Sequence, residues 1–230
     1  MTAYRILIVE DDADINLLLK AMLESSGYSA TSAFSGSEAK LVLAQEQFDL
    51  LLLDLMLPGM EGEALISMVR ENCTTPIIVI SAKLGTDARV TTLRLGADDF
   101  VSKPFDNEEV LARVEAQLRR SHVFAKTATA EKTVYQHKNC VLNTQSMSAK
   151  VNGQDIELTA LEYQLLLTFF QHPEQVFTRS ALFSRCWEQD YIATDNTVDV
   201  HISRIRSKLA ALDDEEYIRT VRGIGYRLSL

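Results

Sequence analysis

Four consecutive leucines, Leu50 to Leu53, run directly into a carboxylate at Asp54, and a turn signal follows at Pro58-Gly59. An apolar run of this length without alternation reads as a strand buried on both faces, as in a parallel sheet. An ionised aspartate at the mouth of such a strand is costly unless a cation, a lysine or hydrogen-bond donors meet it. In doubly wound folds the carboxyl ends of the strands are also where ligands bind. Whatever else the chain brings to that strand end defines the site.

The flanking sequence alternates apolar runs with helix-period patterns. Strands are predicted at Arg5–Val9, Tyr28–Phe34, Leu50–Asp54, Pro76–Ser81 and Asp99–Ser102. Helices are predicted at Asp14–Ser25, Ser37–Gln45, Glu63–Asn72, Asp87–Leu95 and Asn107–Arg120. Five βα units mean an α/β fold, a doubly wound (βα)5 parallel sheet with helices on both faces. In that architecture Glu10-Asp11-Asp12, Asp54, Ser81 and Lys103-Pro104 all follow strands and open on one rim. Carboxylates so crowded repel, and a hard divalent cation with oxygen ligands is their natural neutraliser. Lys103 adds fixed positive charge and Ser81 a hydroxyl, a setting that suits an aspartyl nucleophile attacking phosphorus. Taken singly, Asp12 reads as a helix cap, Ser81 as a strand-end serine, Lys103 as a solvated lysine and Phe100 as core. Only their joint arrival favours chemistry.

These motifs, Val9-Glu10-Asp11-Asp12, Leu53-Asp54-Leu55-Met56-Leu57-Pro58-Gly59, Ser81-Ala82, Gly96-Ala97-Asp98-Asp99-Phe100 and Lys103-Pro104-Phe105, resemble a bacterial response-regulator receiver across residues 1–121. The resemblance implies that Asp54 accepts a phosphoryl group from a sensor histidine kinase and that Mg²⁺ is required. It makes Asp11, Asp54 and the backbone carbonyl of Met56 direct metal ligands, with Glu10 acting through water. It implies that Ser81 swings to the phosphoryl oxygen, that Lys103 pairs with it, and that Phe100 turns inward on activation. It further implies a homodimer on activation, with Asp98, Asp99, Glu109 and Arg113 at the interface. Thr91 stands where a basic partner is usual, leaving Arg89 or Arg94 as substitutes.

Residues 122–133 are small, polar and aperiodic, and read as a linker. Beyond it, Val134–Leu158 alternates weakly and carries Asn152-Gly153, a strong hairpin dipeptide, so about four short antiparallel strands are expected. Thr159 with Glu162 forms a capping box that opens a helix over Ala160–Gln171. Thr178 caps Arg179–Cys186, and Asp195 or Asn196 caps Thr197–Ala211. A glycine-turned hairpin, Tyr217–Val221 and Tyr226–Leu230, ends the chain. A helix followed by a basic hairpin is the layout of a winged helix-turn-helix, an α+β domain over 134–230.

Charge supports this division. Residues 1–121 carry 11 Lys/Arg against 19 Asp/Glu, net −8, while 122–230 carry 12 against 13, net −1. The case for DNA therefore rests on local clustering of Arg204, Arg206, Lys208, Arg219, Arg222 and Arg227. Thr197 through Leu209, with Thr220-Val221-Arg222-Gly223-Ile224-Gly225-Tyr226, resembles the output domain of the OmpR/PhoB family. That resemblance implies a recognition helix in the major groove of promoter DNA, with Val200, Arg204 and Arg206 near base edges. It places Thr197, His201 and Lys208 on phosphates and Arg222, on the wing, at the minor groove, with Thr220 also among the DNA-binding residues. Asn196 and Ser203 stand where arginine is frequent in that family.

The combined expectation is a two-component transcription factor switched at Asp54, with RNA polymerase as a further partner. The alternatives are a regulator that binds DNA without phosphorylation, a protein-binding adaptor, and a metal-dependent aspartyl phosphatase. Against the last, Met56 stands two residues after Asp54 where a catalytic acid is needed, and no cap domain intervenes. Cys73, Cys140 and Cys186 are too few and too far apart for a disulfide framework or a zinc site. With no long apolar run, the expectation is a cytoplasmic chain that does not enter membranes.

Overall fold

In the computed structural model, residues 3–82, 85–123, 133–187 and 196–229 are described. The chain divides into two units, Met1–Leu118 and Arg119–Leu230. The linker expected over 122–133 falls, for residues 124–132, outside the described residues, as does Asp195. Among the described residues no helix is long and apolar enough to cross a membrane.

The apolar runs of the first unit form β1 (Arg5–Val9), β2 (Ser29–Ala33), β3 (Leu50–Leu53), β4 (Ile77–Ser81) and β5 (Asp99–Ser102). Between and after them lie α1 (Ala13–Ser25), α2 (Gly36–Gln45), α3 (Gly62–Asn72), α4 (Thr86–Leu95) and α5 (Asn107–Val123). The strands pair in parallel in the order β2-β1-β3-β4-β5. Leu50 to Leu53 and Ile77 to Ile80 are at most 1% exposed, the burial on both faces that their unbroken apolar runs demand. Each such side chain withdrawn from water contributes about 1.5–3 kcal/mol. The chain order reverses at β1 and β3, so the loops that follow them flank the crevice where this architecture binds ligands. Helix α1 starts where it does because the Asp12 carboxylate accepts from the amides of Asp14 and Ile15.

In the second unit, β6 (Val134–His137), β7 (Cys140–Asn143), β8 (Ser148–Val151) and β9 (Gln154–Asp155) form an antiparallel sheet. Asn152 and Gly153, at φ 51° and 80°, make the turn that their dipeptide signals. Next come α6 (Ala160–Gln171), β10 (Phe177–Thr178), α7 (Arg179–Trp187), α8 (Thr197–Ala210), β11 (Ile218–Val221) and β12 (Gly225–Leu228). The terminal hairpin is a three-stranded sheet, ordered β10-β12-β11. Strand β10, two residues long, is too short to leave a periodic signal. Its pairing needs Gly225: a Cβ there would lie 2.0 Å from the Phe177 carbonyl oxygen, and the backbone φ is +158°. Three helices and this wing enclose a core of Leu165, Phe169, Leu182, Trp187, Ile202 and Ile205.

Candidate functional site

Asp54 follows β3 directly and is 4% exposed. Both of its carboxylate oxygens are held: Oδ1 accepts from the Met56 amide at 3.0 Å and the Ser81 hydroxyl at 2.8 Å. Oδ2 accepts from Lys103 Nζ at 2.5 Å, and the same ammonium reaches Glu10 Oε2 at 2.6 Å. Glu10 and Asp11 leave β1, Ser81 ends β4, and Lys103 leaves β5, so four strand ends supply the pocket. Burial pushes the Glu10 carboxyl above its ordinary value, against the pull of Lys103 and with a push from Asp54. Burial acts to lower the Lys103 ammonium, but Asp54 and Glu10 outweigh it and hold it above its ordinary value. The pocket keeps a lysine charged between two carboxylates.

Carboxylate oxygens of Glu10, Asp11 and Asp54 lie within 4.8 Å of one another. An all-oxygen, acidic donor set of this spacing fits a hard divalent cation such as Mg²⁺. Two contacts fix the rim. The buried amide of Asn16 donates to the Glu10 carbonyl at 3.0 Å, and sequence periodicity gave no hint of that role. A Cβ at Gly62 would lie 2.7 Å from the Asp54 carbonyl oxygen, so the chain after Asp54 can pass only against a glycine. Phe100, expected to turn inward on activation, already lies inward: it is 4% exposed, with the Arg89 guanidinium 5.8 Å from its ring centroid.

The residues expected at a dimer interface are differently disposed. Asp98, expected at the interface, is instead a counterion inside its own chain: it is 1% exposed, bound by Arg70 Nη2 at 2.6 Å and by the Ile77 amide at 3.0 Å. Asp99 is also buried, and both its oxygens take Arg113 Nη1, at 2.9 and 2.8 Å. Arg113 further donates to Glu109 at 2.8 Å. These three pair with one another within the chain.

Helix α8 departs further from the sequence expectation. His201 is wholly buried, its ring 5.3 Å from that of Trp187, and Thr197 is 1% exposed, so neither side chain lies at a phosphate. Val200 is 4% exposed. Arg204 and Lys208 are both turned onto one carboxylate: Arg204 Nη2 meets Glu162 Oε1 at 2.8 Å, and Lys208 Nζ, still partly exposed, meets Oε2 at 2.7 Å. Burial drives the Glu162 carboxyl upward, but Arg204 and Lys208 overcome it and hold it below its ordinary value. Glu162 therefore does two jobs, since its side chain also accepts from the Thr159 amide in the capping box. Sequence shows the cap; the counterion role needs the helix crossing. Arg206 donates to the Ile218 carbonyl and, at 2.9 Å, to the Thr220 hydroxyl, so it ties α8 to the wing. Asp199 Oδ1 accepts from Arg179 and from the Tyr226 hydroxyl, each at 2.7 Å. Arg222 is exposed at the tip of the wing.

Two family models match the chain: "Response regulator receiver domain" over residues 6–115 and "Transcriptional regulatory protein, C terminal" over 153–228. An uncharacterized transcriptional regulatory protein, YcbL of Bacillus subtilis (strain 168), is 35% identical over 96% of this chain and 99% of its own. The response regulator ArlR of Staphylococcus saprophyticus is 36% identical over 96% and 97%. Among solved structures, the response regulator DrrB of Thermotoga maritima, described as an OmpR/PhoB homologue, is 26% identical. It matches with a TM-score of 0.52 over 99% of this chain and all of that one.

Proposed function

Because the chain belongs to the OmpR/PhoB family of two-component response regulators, we propose that it is a transcription factor driven by phosphorylation of Asp54. The observation that carries this reading is the pocket: a buried carboxylate held by a lysine, a serine hydroxyl and a backbone amide at the ends of four strands.

The phosphoryl donor is the phosphohistidine of a sensor kinase. An Asp54 oxygen attacks phosphorus, the P–N bond breaks, and the imidazole nitrogen keeps the electron pair and takes a proton. Lys103 keeps positive charge beside the oxygens that gain negative charge, and it is in place before the reaction. The Met56 amide and the Ser81 hydroxyl orient the carboxylate. Glu10, Asp11, Asp54 and the Met56 carbonyl would hold Mg²⁺, which supplies charge against the phosphoryl oxygens. Phosphorylation adds oxygens that compete for Ser81 and Lys103, and their displacement biases a two-state equilibrium. The favoured state is a homodimer formed through the α4–β5–α5 face, where Glu109 is exposed while Asp99 and Arg113 are paired with each other inside the chain. The winged helix of each copy then engages promoter DNA, with Arg222 at the minor groove. The chain turns over no small substrate; it acts in the cytoplasm, with RNA polymerase as a further contact.

The reading is tested by phosphotransfer. A phosphorylated kinase or a small phosphodonor labels the wild type in the presence of Mg²⁺ and leaves Asp54→Ala unlabelled. Equal labelling of both would reject Asp54 as the acceptor.

A further inference from the structure

We infer that Asp199 is a positioning residue for DNA binding. One oxygen of its carboxylate joins the first turn of α8 to the wing strand β12 and to the start of α7, and so fixes where the wing tip, with Arg222, stands relative to α8. The inference deepens the DNA-binding reading and rests on it.

An acid in the first turn of a helix suits the positive end of the helix dipole and ordinarily needs no further account. On a helix that meets DNA, however, a carboxylate repels the phosphates beside it. Asp199 is turned to another use. Its Oδ1 accepts from Arg179 Nε and from the Tyr226 hydroxyl, each at 2.7 Å, and these donors lie 20 and 27 residues away. Arg179 opens α7, and Tyr226 lies in β12. Tyr226 is 5% exposed, with the guanidinium carbons of Arg179 and Arg206 at 5.4 and 5.6 Å from its ring centroid. Burial, and after it the Asp199 carboxylate, push its hydroxyl up to about 12, so it remains a donor throughout the neutral range. A hydrogen bond to an ionised acceptor belongs to the stronger class.

The two strands of the wing are anchored separately. Arg206 holds β11, through the Ile218 carbonyl and the Thr220 hydroxyl, and Asp199 holds β12 through Tyr226. Asp199 and Arg206 stand seven residues apart on α8, two helical turns, so they share a face and brace the wing at two points along the helix. The hairpin pairs from Ile218 opposite Leu228 to Val221 opposite Gly225, and Arg222 lies in the tip beyond the last pair. The anchors flank that tip in the chain: Thr220 comes just before Arg222 and Tyr226 just after the turn. Cutting the Asp199 contact frees one side of the tip while Arg206 still holds the other.

The test measures the affinity of the full chain, loaded with beryllofluoride and Mg²⁺, for a duplex that the wild type selects from a randomised library. Asp199→Ala and Tyr226→Phe are each made alone and together with Arg222→Ala. Tyr226→Phe keeps the ring and removes only the hydroxyl, so it tests the joint even where Asp199→Ala fails to fold. Each change alone should weaken binding at least about 10-fold, the order of a lost hydrogen bond to a charged group. Each should matter by less than about twofold once Arg222 is already alanine, because the two act through one contact. A residue that merely stabilised the domain would cost the same with or without Arg222. Removing a carboxylate near phosphates would, on charge alone, tighten binding. A gain in affinity for Asp199→Ala therefore overturns the assignment, as does an equal loss in both Arg222 backgrounds. If the wild type itself selects no duplex, the DNA-binding reading falls and the assignment falls with it.

Discussion

Lys103 Nζ lies 2.5 Å from Asp54 Oδ2, and it is the cation that the structure sets against the carboxylates of the pocket. Replacing it, as Lys103→Met, leaves Glu10, Asp11 and Asp54 to repel one another. Removing one preorganised donor of this kind slows a reaction by about 10²–10³-fold. The expected result is a loss of that order in the rate at which a small phosphodonor labels Asp54, with the fold retained. A rate within about twofold of wild type would show that Lys103 is not part of the transfer machinery.

The Glu162 carboxyl predicts a pH dependence. Its value in the folded chain lies below the ordinary 4.5, with burial opposing and Arg204 and Lys208 prevailing. The unfolded chain therefore binds the proton more readily, and the stabilisation is fully present above 4.5 and is lost as pH falls through the folded value. Thermal unfolding of the second unit should fall steeply with pH below 4.5, and Glu162→Gln should flatten that fall while lowering the melting temperature at neutral pH. A variant with the wild-type acid profile would contradict the assigned pairing.

Arg113 is buried against Asp99 and stands above its ordinary value, because the neighbouring carboxylates outweigh the opposing effect of burial. Truncation as Arg113→Ala leaves Asp99 buried without its cation and should cost about 3–5 kcal/mol. In urea unfolding, Asp99→Asn combined with Arg113→Met should lose less than the two single changes added together. Strict additivity would show that the two residues do not interact.

Gly225→Ala should separate β10 from β12, since the added methyl would overlap the Phe177 carbonyl. The wing loses its third strand while the receiver pocket is untouched. The expected signature is weakened DNA binding with Asp54 labelling at the wild-type rate.

What was legible in sequence follows from how local each signal is. Runs such as Leu50–Leu53 and Ile77–Ile80 announce their strands because burial on both faces demands unbroken apolar residues. The capping box at Thr159 and Glu162 and the turn at Asn152-Gly153 are likewise complete within a few residues. The strand ends carrying Glu10, Asp54, Ser81 and Lys103 could be brought together because topology alone dictates their shared rim. By contrast, the partners of Arg204, Lys208, Asp98 and His201 lie on other elements: Glu162 is 42 and 46 residues from the two cations, and Arg70 is 28 from Asp98. A basic residue reads as available for DNA until the helix crossing shows which carboxylate it meets. Strand β10 was silent because two residues carry no period.

The most direct measurement follows dimerisation and DNA affinity of the full chain with and without beryllofluoride and Mg²⁺, in wild type and Asp54→Ala. The account predicts that beryllofluoride drives dimer formation and tightens DNA binding in the wild type alone. Equally tight DNA binding in every condition would contradict it, and Asp54 would not be the switch.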